Sequence, residues 1–358
     1  MSNFDENIKF ENSSTDDGFC IGNVPISKRL LLAPMAGYGD KAFREMCRDG
    51  GAGMSCTEMI SCKGLIYKNQ QTRDMLSKSN VETPCAVQLF GKVPEDFEKA
   101  VQDPLLEKFD IIDINMGCPV NKVIKHGEGS ELMETPEIAA DIVKACVKAS
   151  NGRPVTVKHR LGLKWGDNTS IDFAKRLEDA GVSALAIHGR YQQQMYKGES
   201  DWDAIAAVAN AVNIPIIGSG DIVDSDGYKN AIKSPVAAVM IARGAIGNPT
   251  VFDDILKGDE VLSPLKVIRL CKKHLELHLQ YVKKENAVAI FKKHFASYIT
   301  TFKKVLNNNL ELKLAIQDAT GDKYSTQYIN DLKQKVHSVD NVEIVVDILS
   351  EMEMDFAG

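Results

Sequence analysis

The sequence predicts an α/β protein, a (β/α)8 TIM barrel followed by a small C-terminal helical domain. Three observations lead there. From Arg29 to about Pro249, short β-branched or apolar runs alternate with longer segments of helical period, the pattern of repeated βα units on a parallel sheet. Eight such runs fit within roughly 220 residues, which suits a closed barrel better than an open sheet. Beyond about Ser263 the texture changes to long helical segments rich in Lys, Leu and His.

Taken in order, the runs are RLLLAPMA (29–36), GMSCTE (53–58), PCAVQLF (84–90), DIIDIN (110–115), PVTVK (154–158), ALAIH (184–188), IPIIG (214–218) and VAAVMIA (236–242). Each has the apolar character of a strand covered on both faces. Helices such as 135–150, 170–180 and 223–233 fall between them. A further strand-like run, VEIVVDIL, stands near the C terminus. The chain thus divides into a polar leader (1–24), a barrel (25–260) and a helical domain (261–358).

With 358 residues, 44% of them hydrophobic, the chain can bury one large core and retain material for a second. The first twenty residues lack an apolar segment, and no run approaches a membrane span, so a soluble, cytoplasmic protein without membrane association is expected. Eight cysteines stand singly, with no C-x-x-C pair and no Cys/His cluster at zinc-ligand spacing, and are read as reduced thiols with no metal site. A net charge of -6 argues against a protein that coats nucleic acid indiscriminately. Yet from Val261 to Lys304 there are ten Lys or Arg against two Glu, a local balance of +8. The lysine pairs 272/273 and 283/284 would recur on one face if their helix is continuous. A merely solvated charged face is the competing reading.

Catalytic groups of a (β/α)8 barrel gather where strands end and βα loops begin. The first strand ends in Pro34, Met35, Ala36 and Gly37, small residues against which a flat ring can lie. Gln88 ends the third strand, Asn115 the fourth, Lys158 the fifth and His188 the sixth. Each alone is more often structural, but together they present amide, amine and imidazole to one cavity. Ser219, Gly220 and Asp221 after the seventh strand, with Ala242 and Arg243 after the eighth, form the loop pair that commonly binds phosphate through backbone N–H groups. A phosphate there, a flat ring over the first strand and a cation beside the ring describe a mononucleotide, for which FMN is the natural candidate. Lys158, assisted by His188, would stabilise its anionic reduced form. Cys118, in a Gly-Cys-Pro loop, would expose a thiol to the cavity as a proton donor, while the other seven cysteines read as inert.

At these residues a resemblance appears. APMAGYGDKAFR, TEM, QLFG, DINMGCPVNKV, VKHRLG, HGR with Gln194 and Tyr196 behind it, SGDI and ARGAIGNP resemble the tRNA-dihydrouridine synthase family in order and spacing, over about residues 25–255. The segment FKKHFASYI is similar to the basic, aromatic pattern of that family's C-terminal RNA-binding domain. The resemblance implies that Pro34, Met35, Ala36, Gln88, Lys158, Gly220, Asp221 and Arg243 hold FMN, that Cys118 is the general acid, and that Asn115 and Arg190 face the uracil. It further implies tRNA as substrate, with rRNA possible, NADPH as reductant, and no obligate protein partner. Lys292 and Lys293 would grip RNA phosphates. The sequence departs from the family pattern at Ser219, where Asn is more frequent, at Ala242, where Gly is usual, and at Tyr191-Gln192, where Thr-Arg is common. Competing readings are an FMN barrel reducing a free pyrimidine or other activated alkene, an aldolase using Lys158 as a Schiff base, and a non-catalytic RNA-binding protein.

Overall fold

The computed structural model describes residues 18–167, 169–259, 262–321 and 323–357. A hairpin of β1 (Phe19–Ile21) and β2 (Val24–Ile26) precedes eight parallel strands. These are β3 (Leu30–Leu32), β4 (Ser55–Ser61), β5 (Cys85–Phe90), β6 (Ile111–Met116), β7 (Val155–Arg160), β8 (Ala184–His188), β9 (Ile216–Ser219) and β10 (Ala238–Ile241). Every predicted run forms one strand. The sheet runs from β3 through β10 and back down to β4. It closes on itself where Leu32 N donates to Met54 O (2.9 Å) and Gly53 N to Leu30 O (2.7 Å). The predicted helices appear as Pro136–Ala149, Ser170–Asp179 and Ser225–Ala231.

Strand alternation separates two apolar layers. Outward side chains such as Leu30, Val87, Ile112, Val157 and Ile187 pack against the helices. The inward layer mixes large side chains, Leu31, Met54, Ile111, Ile217 and Met240, with the small Ala86, Ala184, Ala186 and Ala238. Ile21 and Ile26 join this inner layer and are buried. The hairpin plugs the N-terminal end of the barrel, since a Cβ on Gly22 would meet Pro154 just before β7. Residues 19–24, read in sequence as the end of a polar leader, are therefore part of the barrel's floor. Three residues per strand gave too short a pattern to register there.

After β10 the described residues hold helices and no strand. They include Pro264–Tyr281, Lys284–Asn308, Leu310–Thr320, Thr326–Ser338 and Val342–Phe356, packed around Phe291, Phe295, Tyr298 and Phe302. The run VEIVVDIL is the start of the last helix and not a strand. Val342, Val345, Ile348, Leu349 and Met352 are its buried positions, a helical period that outweighs the β-branched composition. The helix carrying Lys272 and Lys273 ends at Tyr281, with Val282 extended, so the two lysine pairs do not share one continuous helix.

The helical segment leans on the first and last βα units. Lys273 pairs with Asp49 (2.7 Å), and Leu277 packs on Ala42 and Met46. Gly247, at φ +77°, lies so near the helix Lys284–Asn308 that a Cβ there would come within 2.7 Å of Ser297 O. This helix therefore flanks the mouth of the barrel.

Candidate active site

At the C-terminal ends of the strands a cavity of about 680 Å³ opens. The predicted ring- and phosphate-facing residues line it, Gly37 excepted: Pro34, Met35 and Ala36 from the first loop, Gln88, Lys158 and His188 from strand ends, and Ser219, Gly220, Asp221, Ala242 and Arg243 from the last two loops. Asn115 and Cys118 complete one wall. Arg190 departs from its expected position. It is 2% exposed and does not line the cavity. Its guanidinium donates to both Asp221 oxygens (2.9 and 2.6 Å), to Ser200 Oγ (2.8 Å) and to the carbonyls of Lys197 and Gly198. Its place beside the cavity is taken by Arg160, which reaches the lining from β7 two residues beyond Lys158. Period-two alternation contained that signal: residues 158 and 160 face inward, and His159 packs outward against Phe173.

A hydrogen-bonded row crosses the barrel beneath the cavity. Thr156 Oγ1 donates to Asp113 Oδ1 (2.6 Å), Gln88 Nε2 to Asp113 Oδ2 (2.7 Å) and Asn115 Nδ2 to Gln88 Oε1 (2.9 Å). Asn115 Oδ1 in turn accepts from Cys118 N (3.0 Å) and Gly117 N (3.3 Å). Asn115, expected to face a substrate, thus spends its amide on the loop that carries the thiol. That loop is also held from behind, where Ser130 donates to Cys118 O through Oγ (2.8 Å) and N (3.1 Å). Gly129 makes this approach possible: at φ +63° it leaves no room for a Cβ, which would stand 2.8 Å from Cys118 O and 2.9 Å from Val123 Cγ1.

The cavity wall carries Lys158, Arg160 and Arg243 together with the carboxylate of Asp221. Burial pushes the Asp113 carboxyl up to about 6, against the hydrogen bonds from Thr156 and Gln88 and the charge of Lys158. Burial and then Arg160 bring the Lys158 amine down to about 8, so it remains cationic at neutral pH. Lys158 lines the cavity with no hydrogen-bond partner among the described residues. His188 is neutral, its pKa lowered by burial and by Lys158, Arg160, Arg190 and Arg243. The Cys118 thiol is raised by burial, although the Val120 amide, Arg160 and Lys158 pull the other way. It therefore stays protonated at neutral pH. Burial would raise the Asp221 carboxyl, but hydrogen bonds from Arg190 and the Ser200 amide hold it below its ordinary value.

Lys292 and Lys293 lie outside the cavity. Lys292 pairs with Asp340 (2.8 Å) and Lys293 with Asp40 (3.7 Å). Lys266, Arg269, Lys272 and Lys273 likewise pair with acids from outside the basic window, namely Asp254, Glu353 and Asp49. The local excess of +8 is a property of the linear window, and folding neutralises much of it. His274 and His278, one helical turn apart, and His294 are brought together with Asp40 by the fold, a cluster absent from the sequence expectations. The i, i+4 spacing of the first two was the available signal.

The fold is a (β/α)8 barrel with a pocket lined by Lys158, Arg160 and Arg243 at the C-terminal rim, where enzymes of this fold carry their active sites. A family model described as dihydrouridine synthase (Dus) matches residues 31–337. The chain is 40% identical over 236 residues to tRNA-dihydrouridine synthase B of Vibrio cholerae, covering 66% of this chain and 73% of that one. It is 37% identical over 289 residues to the protein of that name from Pseudomonas aeruginosa, covering 78% and 86%. The chain belongs to the dihydrouridine synthase family. Among solved structures, a variant of NCR from Zymomonas mobilis shares the barrel at a TM-score of 0.53 and 15% identity, covering 71% of this chain and 94% of that one. Morphinone reductase in complex with tetrahydroNAD does so at 0.51 and 13%, covering 71% and 93%.

Proposed function

We propose that this chain reduces uridine in tRNA to 5,6-dihydrouridine, using bound FMN, NADPH as reductant and Cys118 as the acid. The observation that carries the reading is a protonated thiol, Cys118, on the wall of the same cavity that holds an unpartnered lysine, Lys158. The residues fit FMN. Pro34, Met35 and Ala36 offer a flat apolar shelf, and Gln88 and Lys158 offer polar contacts. Gly220, at φ +135°, has no space for a Cβ beside Ser200, and with Ser219, Asp221, Ala242 and Arg243 it supplies a phosphate cradle. When bound, reduced FMN supplies the hydride that carbon 6 of uracil takes up.

The chain's own part is positional and acid–base. Cys118 gives its proton to carbon 5, so one hydride and one proton account for the saturated bond. Arg160 and Lys158 stabilise the thiolate left behind. Asn115 keeps the Cys118 loop in register. The uridine must leave its stack to enter, at a cost on the order of a few kcal/mol. Basic side chains of the residue 261–358 helices, the proposed RNA-binding domain, offset this through phosphate contacts, with Lys292 and Lys293 available once their carboxylate partners are exchanged for phosphate. The proposed setting is the cytoplasm, where tRNA and NADPH meet, with no obligate protein partner.

The test is expression of the protein and its Cys118→Ala variant in cells lacking other dihydrouridine synthases, followed by mass-spectrometric mapping of tRNA and rRNA. Dihydrouridine in tRNA from the intact protein alone is the expected result. A folded, flavin-loaded protein that leaves both RNAs unmodified would overturn it and point to a small-molecule alkene reductase.

A further inference from the structure

Away from the cavity, Asp40, His274, His278 and His294 converge, and one potential ligand atom of each lies within 4.8 Å of all the others. They come from three segments: the end of the first βα loop, the helix Pro264–Tyr281 and the helix Lys284–Asn308. The three histidines are 0%, 1% and 1% exposed, a degree of burial that ordinarily demands a partner for each ring nitrogen. Here His274 Nε2 and both nitrogens of His278 have none. The other nitrogen of His274, Nδ1, meets Tyr298 Oη at 3.2 Å, the outer contact that fixes a metal-binding imidazole and leaves its Nε2 lone pair free. His294 Nε2 is 2.9 Å from Asp40 Oδ2, and His278 Nε2 is 3.6 Å from Asp40 Oδ1, too long for a hydrogen bond.

We propose that these four residues form a structural metal site for a borderline divalent cation, zinc first. Three imidazoles and one carboxylate are the donor set zinc takes, and four protein ligands fill a tetrahedron with no position open for catalysis. Asp40 Oδ1 is already used as the cap of the following helix, accepting from Phe43 N at 3.1 Å, which leaves Oδ2 for the metal. Lys293 Nζ lies 3.7 Å from that oxygen, but its side chain is 33% exposed and has a path to solvent when the cation arrives. The metal would bind the loop that ends in Asp40 to the helices beyond residue 264. Tyr38 of that loop lines the cavity and stands edge-on to His294 at 5.5 Å, so the site would stiffen one rim of the candidate active site.

The test uses tag-free, full-length protein from zinc-supplemented cells, with metal content measured by mass spectrometry after gel filtration. One zinc per chain is expected, lost in His278→Gln and in His294→Gln. Chelation should lower the melting temperature of the wild type and leave His278→Gln unmoved. Stripped wild-type protein should take up cobalt(II) with the visible band of a tetrahedral centre, displaced by zinc. That measurement needs no variant and decides the matter if the substitutions prevent folding. A wild-type chain that takes up neither metal, or zinc retained undiminished in both variants, overturns the site. Neither outcome bears on uridine reduction, so the two readings stand or fall separately.

Discussion

Asn115→Ala separates positioning from substrate contact. The side chain accepts from Cys118 N at 3.0 Å and from Gly117 N at 3.3 Å, and donates to Gln88 Oε1 at 2.9 Å. Two of these three have good geometry, and a net hydrogen bond is worth about 0.5–1.5 kcal/mol. Water in the adjoining cavity can replace part of that for the freed amides. The expected loss of stability is about 1–2 kcal/mol, a modest fall in melting temperature. The effect on turnover should be larger, because a shift of about 1 Å in a reacting group costs on the order of 10²-fold. Steady-state reduction of a tRNA substrate should therefore show kcat falling by roughly that factor with KM little changed. If Asn115 instead served mainly to bind the uracil, KM would rise and kcat would persist. A kcat within about twofold of wild type would refute the positioning argument.

Other consequences follow from the same structure. Glu82→Leu removes one partner of the buried Arg44–Glu82 pair (2.6 Å, side chains 1% and 0% exposed) and should cost about 3–5 kcal/mol in a denaturant melt, with much of that recovered by adding Arg44→Met. Gly129→Ala forces a left-handed residue and a crowded Cβ behind Cys118, so a loss of about 2–4 kcal/mol and a matching fall in turnover are expected, whereas a neutral variant would show that the loop is not tightly held. Lys158 has its folded pKa lowered to about 8 from 10.5, so between those values the unfolded chain keeps a proton the native chain has released. Stability of the wild type relative to Lys158→Met should then rise with pH across that window, by at most ~1.4 kcal/mol per unit, and stay flat below it. Affinity for tRNA should fall with salt, and Lys304→Ala, at an exposed position on the flanking helix, should lower the slope of log affinity against log salt by about one if it meets a phosphate.

The sequence by itself determined the barrel, since eight apolar runs with helical spacers leave a parallel closed sheet as the way to cover both faces of each strand. It also determined much of the cavity wall, because strand ends of this fold must point at one place: the ring- and phosphate-facing side chains of Gln88, Lys158, His188 and Arg243 line it with Asn115 and Cys118, whereas Arg190 does not. Tertiary structure decided matters that depend on partners distant in the chain. Arg190 is turned from the cavity by Asp221, thirty-one residues away, and Asn115 is turned toward Cys118 by Gln88. The charge of the basic window is answered by Asp40, Asp49, Asp254, Asp340 and Glu353, which no local count includes. The last helix overrode its β-branched composition because its buried residues recur with helical period. The same cause hid the histidine cluster. A helical turn sets His274 beside His278, but only the packing of the helices beyond residue 264 on the first βα unit brings His294 and Asp40 to them.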